Sequence, residues 1–245
     1  MAEKKKSVLL LIAAYNEEEN ILRVAEEVSS VCPDADYLII NDGSKDGTEQ
    51  ILMEHGLQHV RLPINLGIGG AIQTGYRYAR DNGYEIAVQL DGDGQHDPAY
   101  LEQVLQPIRK GEAEYVIGSR FVSGEGEGFQ STGARRFGIR FLSTLIFILC
   151  GVRVRDVTSG FRAVNRRFIE TFAESYPTDY PEPEAIMDAV MRRGRIAEVP
   201  VVMRERAGGT SSINLKRSVY YMIKVSLDII VCRISYGFRR EKRRK

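Results

Sequence analysis

Three apolar runs of strand length, each broken off by polar or acidic residues, constrain this chain more than any other feature. They are Val8–Ala14 before Tyr15, residues 37–40 before Asn41 and Asp42, and residues 86–90 before Asp91. Strands apolar on both faces belong in parallel sheets covered by helices on both sides. Helical patterns separate the runs: one over residues 17–31, with Asn16 as cap and Glu17 near the positive end, one opening at Ser44 or Asp46, and one over 71–81. This alternation predicts a doubly wound, mostly parallel α/β sheet. Ligands of such sheets collect at the carboxyl ends of strands, where Tyr15, Asp42 and Asp91 all fall.

Further elements follow in order. Residues 59–62 read as a strand, 98–110 as a helix, and 115–118 as a strand delivering Ser119 and Arg120. Residues 121–135 have the Gly, Ser and Glu content of a mobile loop over a site. The segment DVTSGFRA, residues 156–163, leads into another helix; residues 181–193 form a helix with Glu182 and Glu184 at its start, and 196–203 a final strand. The glycine cluster Asn65, Gly67, Gly69, Gly70 departs from the dinucleotide-binding spacing and reads as a tight turn packed on neighbouring backbone.

The chemistry concentrates in residues 88–98, VQLDGDGQHDP. Gly92 and Gly94 free the backbone to bend, so Asp91 and Asp93 can converge on one hard cation. Carboxylates of this kind suit Mg²⁺ or Mn²⁺, which complete their shells with water and substrate phosphate, so the expected substrate carries a diphosphate. An acidic turn is the other reading, because Asp-Gly repeats are also good turn chemistry.

The net charge of +1 creates no field calling for nucleic acid. Cys32, Cys150 and Cys232 are far apart and lack metal-ligand spacing, as expected of reduced cysteines in a cytosolic protein. The basic and apolar start runs directly into a helix start, which favours a first strand over a secretory signal. No apolar run reaches the roughly 18 residues of a membrane span. The apolar stretch 137–149 reads as a buried helix or a membrane-surface helix. In residues 215–238 a helical wheel puts Arg217, Lys224 and Asp228 on one side and Met222, Ile223, Leu227, Ile230, Ile234 and Phe238 on the other. Followed by FRREKRRK, this is either an interfacial helix on an anionic membrane or a helix docked on its own domain with a solvated basic end.

Taken together, AAYNEEENI, NDGSKDGT, NLGIGGA, QLDGDGQHDP, GSRF, TSGFRA and EVPVVMRERAGGTSS resemble, in order and spacing, family 2 glycosyltransferases, especially the branch of dolichyl-phosphate mannosyltransferases and polyprenyl-phosphate glycosyltransferases. The resemblance implies a GT-A fold over residues 1–214, a nucleotide-diphosphate sugar donor and a divalent metal, Mg²⁺ or Mn²⁺; the amphipathic and polybasic segment 215–245 stands where members of the family often carry transmembrane helices. It implies that Ala14, Tyr15, Glu17 and Asp42 contact the donor nucleoside, with Gly69 among the donor-binding positions, and that Asn41 departs from the usual aspartate. It further implies Asp91, Asp93 and Gln95 as the metal shell, Arg206 as the arginine closing over diphosphate, and Arg120 with Arg135 or Arg136 beside an acceptor phosphate. Asp93, Arg120, Arg206 and Glu184 are the implied catalytic set.

The reaction so implied is inverting transfer from a UDP- or GDP-sugar to a polyprenyl phosphate by a peripheral protein at the cytoplasmic membrane face, with a small membrane protein as a candidate partner. A hydroxyl acceptor would instead need a general base, for which Glu184, and after it Glu182, is the candidate. A nucleotidyltransferase and a non-catalytic nucleotide-sugar sensor are further alternatives. The lack of a lysine-bearing glycine loop argues against the first, and the joint presence of Asp91, Asp93, Gln95 and Arg206 against the second.

Overall fold

The first apolar run becomes the middle of the sheet. β1 (Val8–Ala14) pairs in parallel with β2 (Asp36–Asn41) on one side and β4 (Ile86–Asp91) on the other. The computed structural model describes residues 7–122, 133–204 and 222–234, the side chains of 133–135 excepted. With β3 (His59–Arg61), β5 (Tyr115–Ser119), β6 (Arg162–Asn165) and β7 (Ile196–Pro200) the sheet has seven strands in the order β3-β2-β1-β4-β6-β5-β7. All pairs are parallel except those of β6, which runs antiparallel to both β4 and β5.

Alternation along β1 divides the core in two. Leu9 and Leu11 face α3 (Gly67–Asp81), α5 (Gly133–Cys150), α6 (Arg166–Glu174) and α7 (Pro181–Met191), while Leu10 and Ile12 face α1 (Ile21–Val31), α2 (Thr48–Glu54) and α4 (Leu101–Arg109). All four are fully buried, and each such side chain contributes roughly 1.5–3 kcal/mol through the apolar surface it removes from water. The expected mostly parallel, helix-covered sheet is the one observed.

Several local expectations change. α1 starts at Ile21 rather than residue 17, because Asn16 takes a left-handed backbone (φ 55°) and its side-chain oxygen accepts the Lys45 N–H instead of capping a helix. The glycine cluster lies inside the start of α3, not in a turn before it. A Cβ on Gly69 would stand 2.1 Å from the Pro177 carbonyl oxygen, so the expected close packing on backbone is present and its partner is the 177–178 segment. Residues 98–110 divide into a 3-10 turn (Pro98–Tyr100), capped by the Asp97 carboxylate, and α4. β6 had no forecast: it lies where residues 156–163 were expected only to lead into a helix. Most of the loop expected over 121–135 lies outside the described residues.

Residues 222–234 are helical and are designated α8. α8 docks on the domain: Val225 and Ile229 are fully buried in the same core cluster as Leu142 and Ile146 of α5. Met222 lies against Gly138, and Arg233 Nε donates to the Leu149 carbonyl at 2.7 Å. The offset in sequence is the same at both ends, so α8 runs parallel to α5. Of the apolar side expected from the wheel, Met222 packs inward, whereas Ile223, Leu227, Ile230 and Ile234 stay exposed. The expected docking on the domain is therefore present, and an apolar side of the helix stays exposed. Phe238 and the basic end lie outside the described residues, as does the expected boundary between 214 and 215. No helix among the described residues is long and apolar enough to cross a membrane.

Candidate active site

Register sets the level of the site. Ala14 pairs with Asn41, and Ala13 with Asp91, so Tyr15, Asp42 and Asp91 emerge on one rim. Gln89 of β4 and Ile117 of β5 both oppose Arg162 of β6, which brings Ser119 and Arg120 to the level of Asp91. β6 enters the sheet from this rim because it is antiparallel, and the segment before it, residues 156–161, therefore lies across the aspartate loop.

That loop is held from below. Gly92 N–H donates to the Ala13 carbonyl, and the Asp93 carboxylate accepts the Gln95 N–H at 3.0 Å. His96 is almost fully buried and stacked on Phe161. Its Nδ1 accepts the Asp91 N–H at 3.1 Å, which leaves the other nitrogen, 3.6 Å from the Asp91 carboxylate, to carry the proton. Burial pushes the imidazole down to about 4, so it stays neutral at physiological pH. Gly160 completes the enclosure, since a Cβ there would stand 3.1 Å from both an Asp91 carboxylate oxygen and the His96 ring.

Asp91 keeps 36% of its side chain exposed at this rim. Among the described residues no three His, Cys, Asp or Glu side chains are gathered closely enough to hold a metal by themselves. Two carboxylates and the Gln95 amide, with the remaining positions left to water and diphosphate, form the donor set that Mg²⁺ or Mn²⁺ takes beside phosphates. The residues present therefore fit such an ion. Gln95 is also anchored: its carbonyl accepts the Arg204 N–H at 2.9 Å and its amide donates to the Arg204 carbonyl at 3.4 Å.

The remaining expected residues divide by position. The Ala14 carbonyl accepts the Asp42 N–H at 2.9 Å, and Tyr15 is 41% exposed beside it. The Asp42 carboxylate accepts the Leu66 N–H at 2.7 Å, so it closes the start of α3; burial raises its pKa against the opposing effect of the Leu66 and Gly67 N–H groups. Glu17 is buried and accepts from the Asn20 amide at 2.8 Å, which ties the loop before α1. Arg136 is exposed on α5. Arg206 and the side chain of Arg135 lie outside the described residues.

The two glutamates lie apart. Glu184 lines a cavity of about 210 Å³ under α8 with Asp188, Asp228 and Cys232, away from the aspartate loop. Glu182, the second candidate base, is the one that feels the charge of Asp91; burial raises its pKa and Arg162 opposes the rise. Burial, reinforced by the negative Asp228, pushes Glu184 up to about 7 from an ordinary 4.5. The folded chain therefore binds a proton on Glu184 that the unfolded chain has already released, and stability falls as pH rises from about 4.5 through 7. Glu184→Gln is expected to raise the melting temperature at pH 7.5 by roughly 2–4 °C, corresponding to about 1 kcal/mol after allowance for solvent screening, and to leave it unchanged at pH 4.5. An equal shift at both pH values contradicts this.

Residues with no assigned role in the sequence also reach the rim. Arg23 lies against Gly94, and Arg204 pairs with Glu27 and Asp97. Asp156, fully buried, grips Arg120 through Nε and Nη2, both at 2.7 Å. Arg162, 1% exposed, donates to Tyr115 and to the carbonyls of Ser159 and Glu182. DVTSGFRA and QHDP were visible as motifs, yet nothing in their spacing shows which partners they meet.

The model of glycosyl transferase family 2 matches residues 9–172. The chain belongs to that family. This glycosyltransferase is 33% identical over 215 residues to the UDP-N-acetylglucosamine–dolichyl-phosphate N-acetylglucosaminyltransferase of Methanococcus voltae, covering 80% of this chain and 85% of that one. It is 30% identical to the polyprenol monophosphomannose synthase of Mycolicibacterium smegmatis (89% and 85% covered) and 32% identical to the undecaprenyl-phosphate mannosyltransferase of Micrococcus luteus (84% and 87%). Its fold matches glucosyl-3-phosphoglycerate synthase of Mycobacterium tuberculosis, solved with UDP (TM-score 0.69, 20% identity, 93% of this chain and 80% of that one) and with Mn²⁺, UDP and product (0.66, 21%, 94% and 80%). The GT-A architecture expected from the motifs is thus the one found, and the enzyme is a family 2 glycosyltransferase.

Proposed function

We propose that the enzyme transfers a sugar, with inversion, from a UDP- or GDP-sugar to a polyprenyl phosphate at the cytoplasmic face of a membrane. The observation that carries this reading is that the three relatives above, each matched over at least 80% of this chain, are named for transfer to dolichyl, polyprenol or undecaprenyl carriers.

In such a transfer the acceptor oxygen attacks the anomeric carbon opposite the leaving nucleoside diphosphate. Asp91, Asp93 and Gln95 would hold a divalent ion, Mg²⁺ or Mn²⁺, which would supply Lewis-acid neutralisation of the charge that builds on that diphosphate. Tyr15 offers an exposed ring at the donor end of the rim. Arg206 adds charge-assisted hydrogen bonds to the diphosphate. An acceptor phosphate is ionised near neutral pH, so no side chain has to remove a proton; Arg120, with Arg135 or Arg136, orients it. Glu184, remote from the rim, then has no proton to take.

The outer faces of α5 and α8 support a membrane location. Phe137 (74% exposed) and Ile148 (72%) on α5 lie on the helix that α8 flanks, and Ile223, Leu227 and Val231 of α8 are each more than half exposed. A lipid surface accounts for this exposed apolar area, and the basic end beyond residue 238 would meet anionic headgroups. The double substitution Ile223→Asp with Leu227→Asp is expected to lower the fraction sedimenting with anionic vesicles about tenfold while sparing Val225 and Ile229. Unchanged sedimentation contradicts the membrane assignment.

The acceptor is tested by supplying purified enzyme with Mn²⁺ or Mg²⁺, a panel of UDP- and GDP-sugars, and either polyprenyl phosphate or saccharide acceptors. A glycolipid formed only with the phosphate supports the proposal. Transfer to a saccharide hydroxyl alone overturns it.

A further inference from the structure

We propose that Asp156 is a positioning residue for the transfer: it fixes the Arg120 guanidinium so that a single nitrogen, Nη1, remains to meet the acceptor phosphate. The inference rests on the phosphate-acceptor reading above and deepens it.

The geometry leaves Arg120 little freedom. Asp156 Oδ2 accepts both the backbone N–H of Arg120 at 3.1 Å and its Nε at 2.7 Å, Oδ1 accepts Nη2 at 2.7 Å, and Thr158 Oγ1 accepts Nη2 at 2.8 Å. Asp156 is in turn held from β7, where the Glu198 carboxylate accepts the backbone N–H groups of Arg155 and Asp156 at 2.8 and 2.9 Å. Of the three guanidinium nitrogens, Nη1 alone has no partner in these contacts.

The clamp belongs to the reaction rim. Arg120 follows β5 at the level of Asp91, and both Arg120 and Asp156 lie close enough to His96, under Asp91, to act on its ring electrostatically. Burial works to raise the Asp156 carboxyl, but the Arg120 guanidinium and N–H outweigh it and hold the group ionised below the usual carboxylate range.

Two consequences follow. An unrestrained arginine loses much rotamer freedom on gripping a phosphate, whereas this one is already fixed, and misplacement by about 1 Å costs on the order of 10²-fold in rate. The pair is also neutral overall, so it offers a directed hydrogen bond more than net attraction. Losing Asp156 would release a mobile, uncompensated cation that still attracts phosphate but orients it poorly.

The test is steady-state kinetics of the full chain with polyprenyl phosphate, using Asp156→Asn, Arg120→Met, the double variant and Thr158→Val. The expected result is that D156N lowers kcat about 10–100-fold with donor KM unchanged, acceptor KM within about threefold, and a steeper salt dependence of acceptor KM. In the R120M background, D156N should add less than about twofold, because its effect runs through Arg120. T158V, which removes the hydroxyl's contacts to Arg120 and Asp156 and spares the ion pair, should lower kcat roughly threefold and lose that effect beside R120M; it reads the same coupling if D156N does not fold. Multiplicative losses, or equal loss of donor binding and stability, overturn the proposal. Wild-type enzyme that fails with polyprenyl phosphate overturns the acceptor reading and this inference with it, whereas active wild type with uncoupled variants overturns the inference alone.

Discussion

Asp91→Asn is expected to lower transfer by about 10²–10⁴-fold while leaving the melting temperature within a few degrees of wild type. The two effects separate because of where Asp91 sits. Its side chain is 36% exposed at the end of β4, while its N–H carries the structural bond to His96. An amide there loses the charge that a divalent ion needs yet keeps the shape of the loop. Asp93→Asn should behave alike, and, with both carboxylates proposed to serve one ion, the double variant should lose little more than either single one. Loss of folding with either substitution, or activity within threefold of wild type, contradicts the assignment.

Arg162→Met is expected to cost about 3–5 kcal/mol of stability, seen as a lower urea midpoint at unchanged slope and a melting temperature lower by roughly 10 °C. Arg162 is among the largest fully buried side chains, and methionine leaves the carbonyls of Ser159 and Glu182 and the Tyr115 hydroxyl without their donor. The same bonds pin the segment that lays Gly160 across Asp91, so activity in the surviving folded fraction should also fall, by about tenfold. A variant within 1 kcal/mol of wild type would show that this buried cation is dispensable.

The parts legible from sequence are those with local or periodic causes. β1 and β4 are continuous apolar runs that end in polar residues, and their parallel pairing alone brings Tyr15, Asp42 and Asp91 to one rim. β6 escaped because it is four residues long and opens with an arginine whose burial depends on carbonyls of the preceding 156–161 segment and of Glu182. The start of α1 shifted because Asn16 serves the Lys45 N–H across 29 residues, a partner that no helical pattern announces. For α8 the wheel marked an apolar side whose Ile223 and Leu227 stay exposed, while the residues buried against the domain, Val225 and Ile229, lie outside the side it marked.

At the site, the acidic loop was readable because its glycines and carboxylates are adjacent in sequence. The clamp of Asp156 on Arg120 was not, because its halves are 36 residues apart and meet only when β6 threads between β4 and β5. Glu184 and Glu182 stand at one helix start, and nothing in their spacing tells the two apart. The fold turns the two to different surroundings, one toward α8 and the other within reach of the charge on Asp91.

The most direct measurement is the anomalous density of a crystal grown with Mn²⁺ and a nucleoside diphosphate sugar. One manganese peak is expected, bounded by Asp91 and Asp93, with Gln95 in reach and diphosphate oxygens completing its shell. A clear nucleotide at the rim with manganese absent from Asp91 and Asp93, in an enzyme whose transfer withstands a chelator, would contradict it.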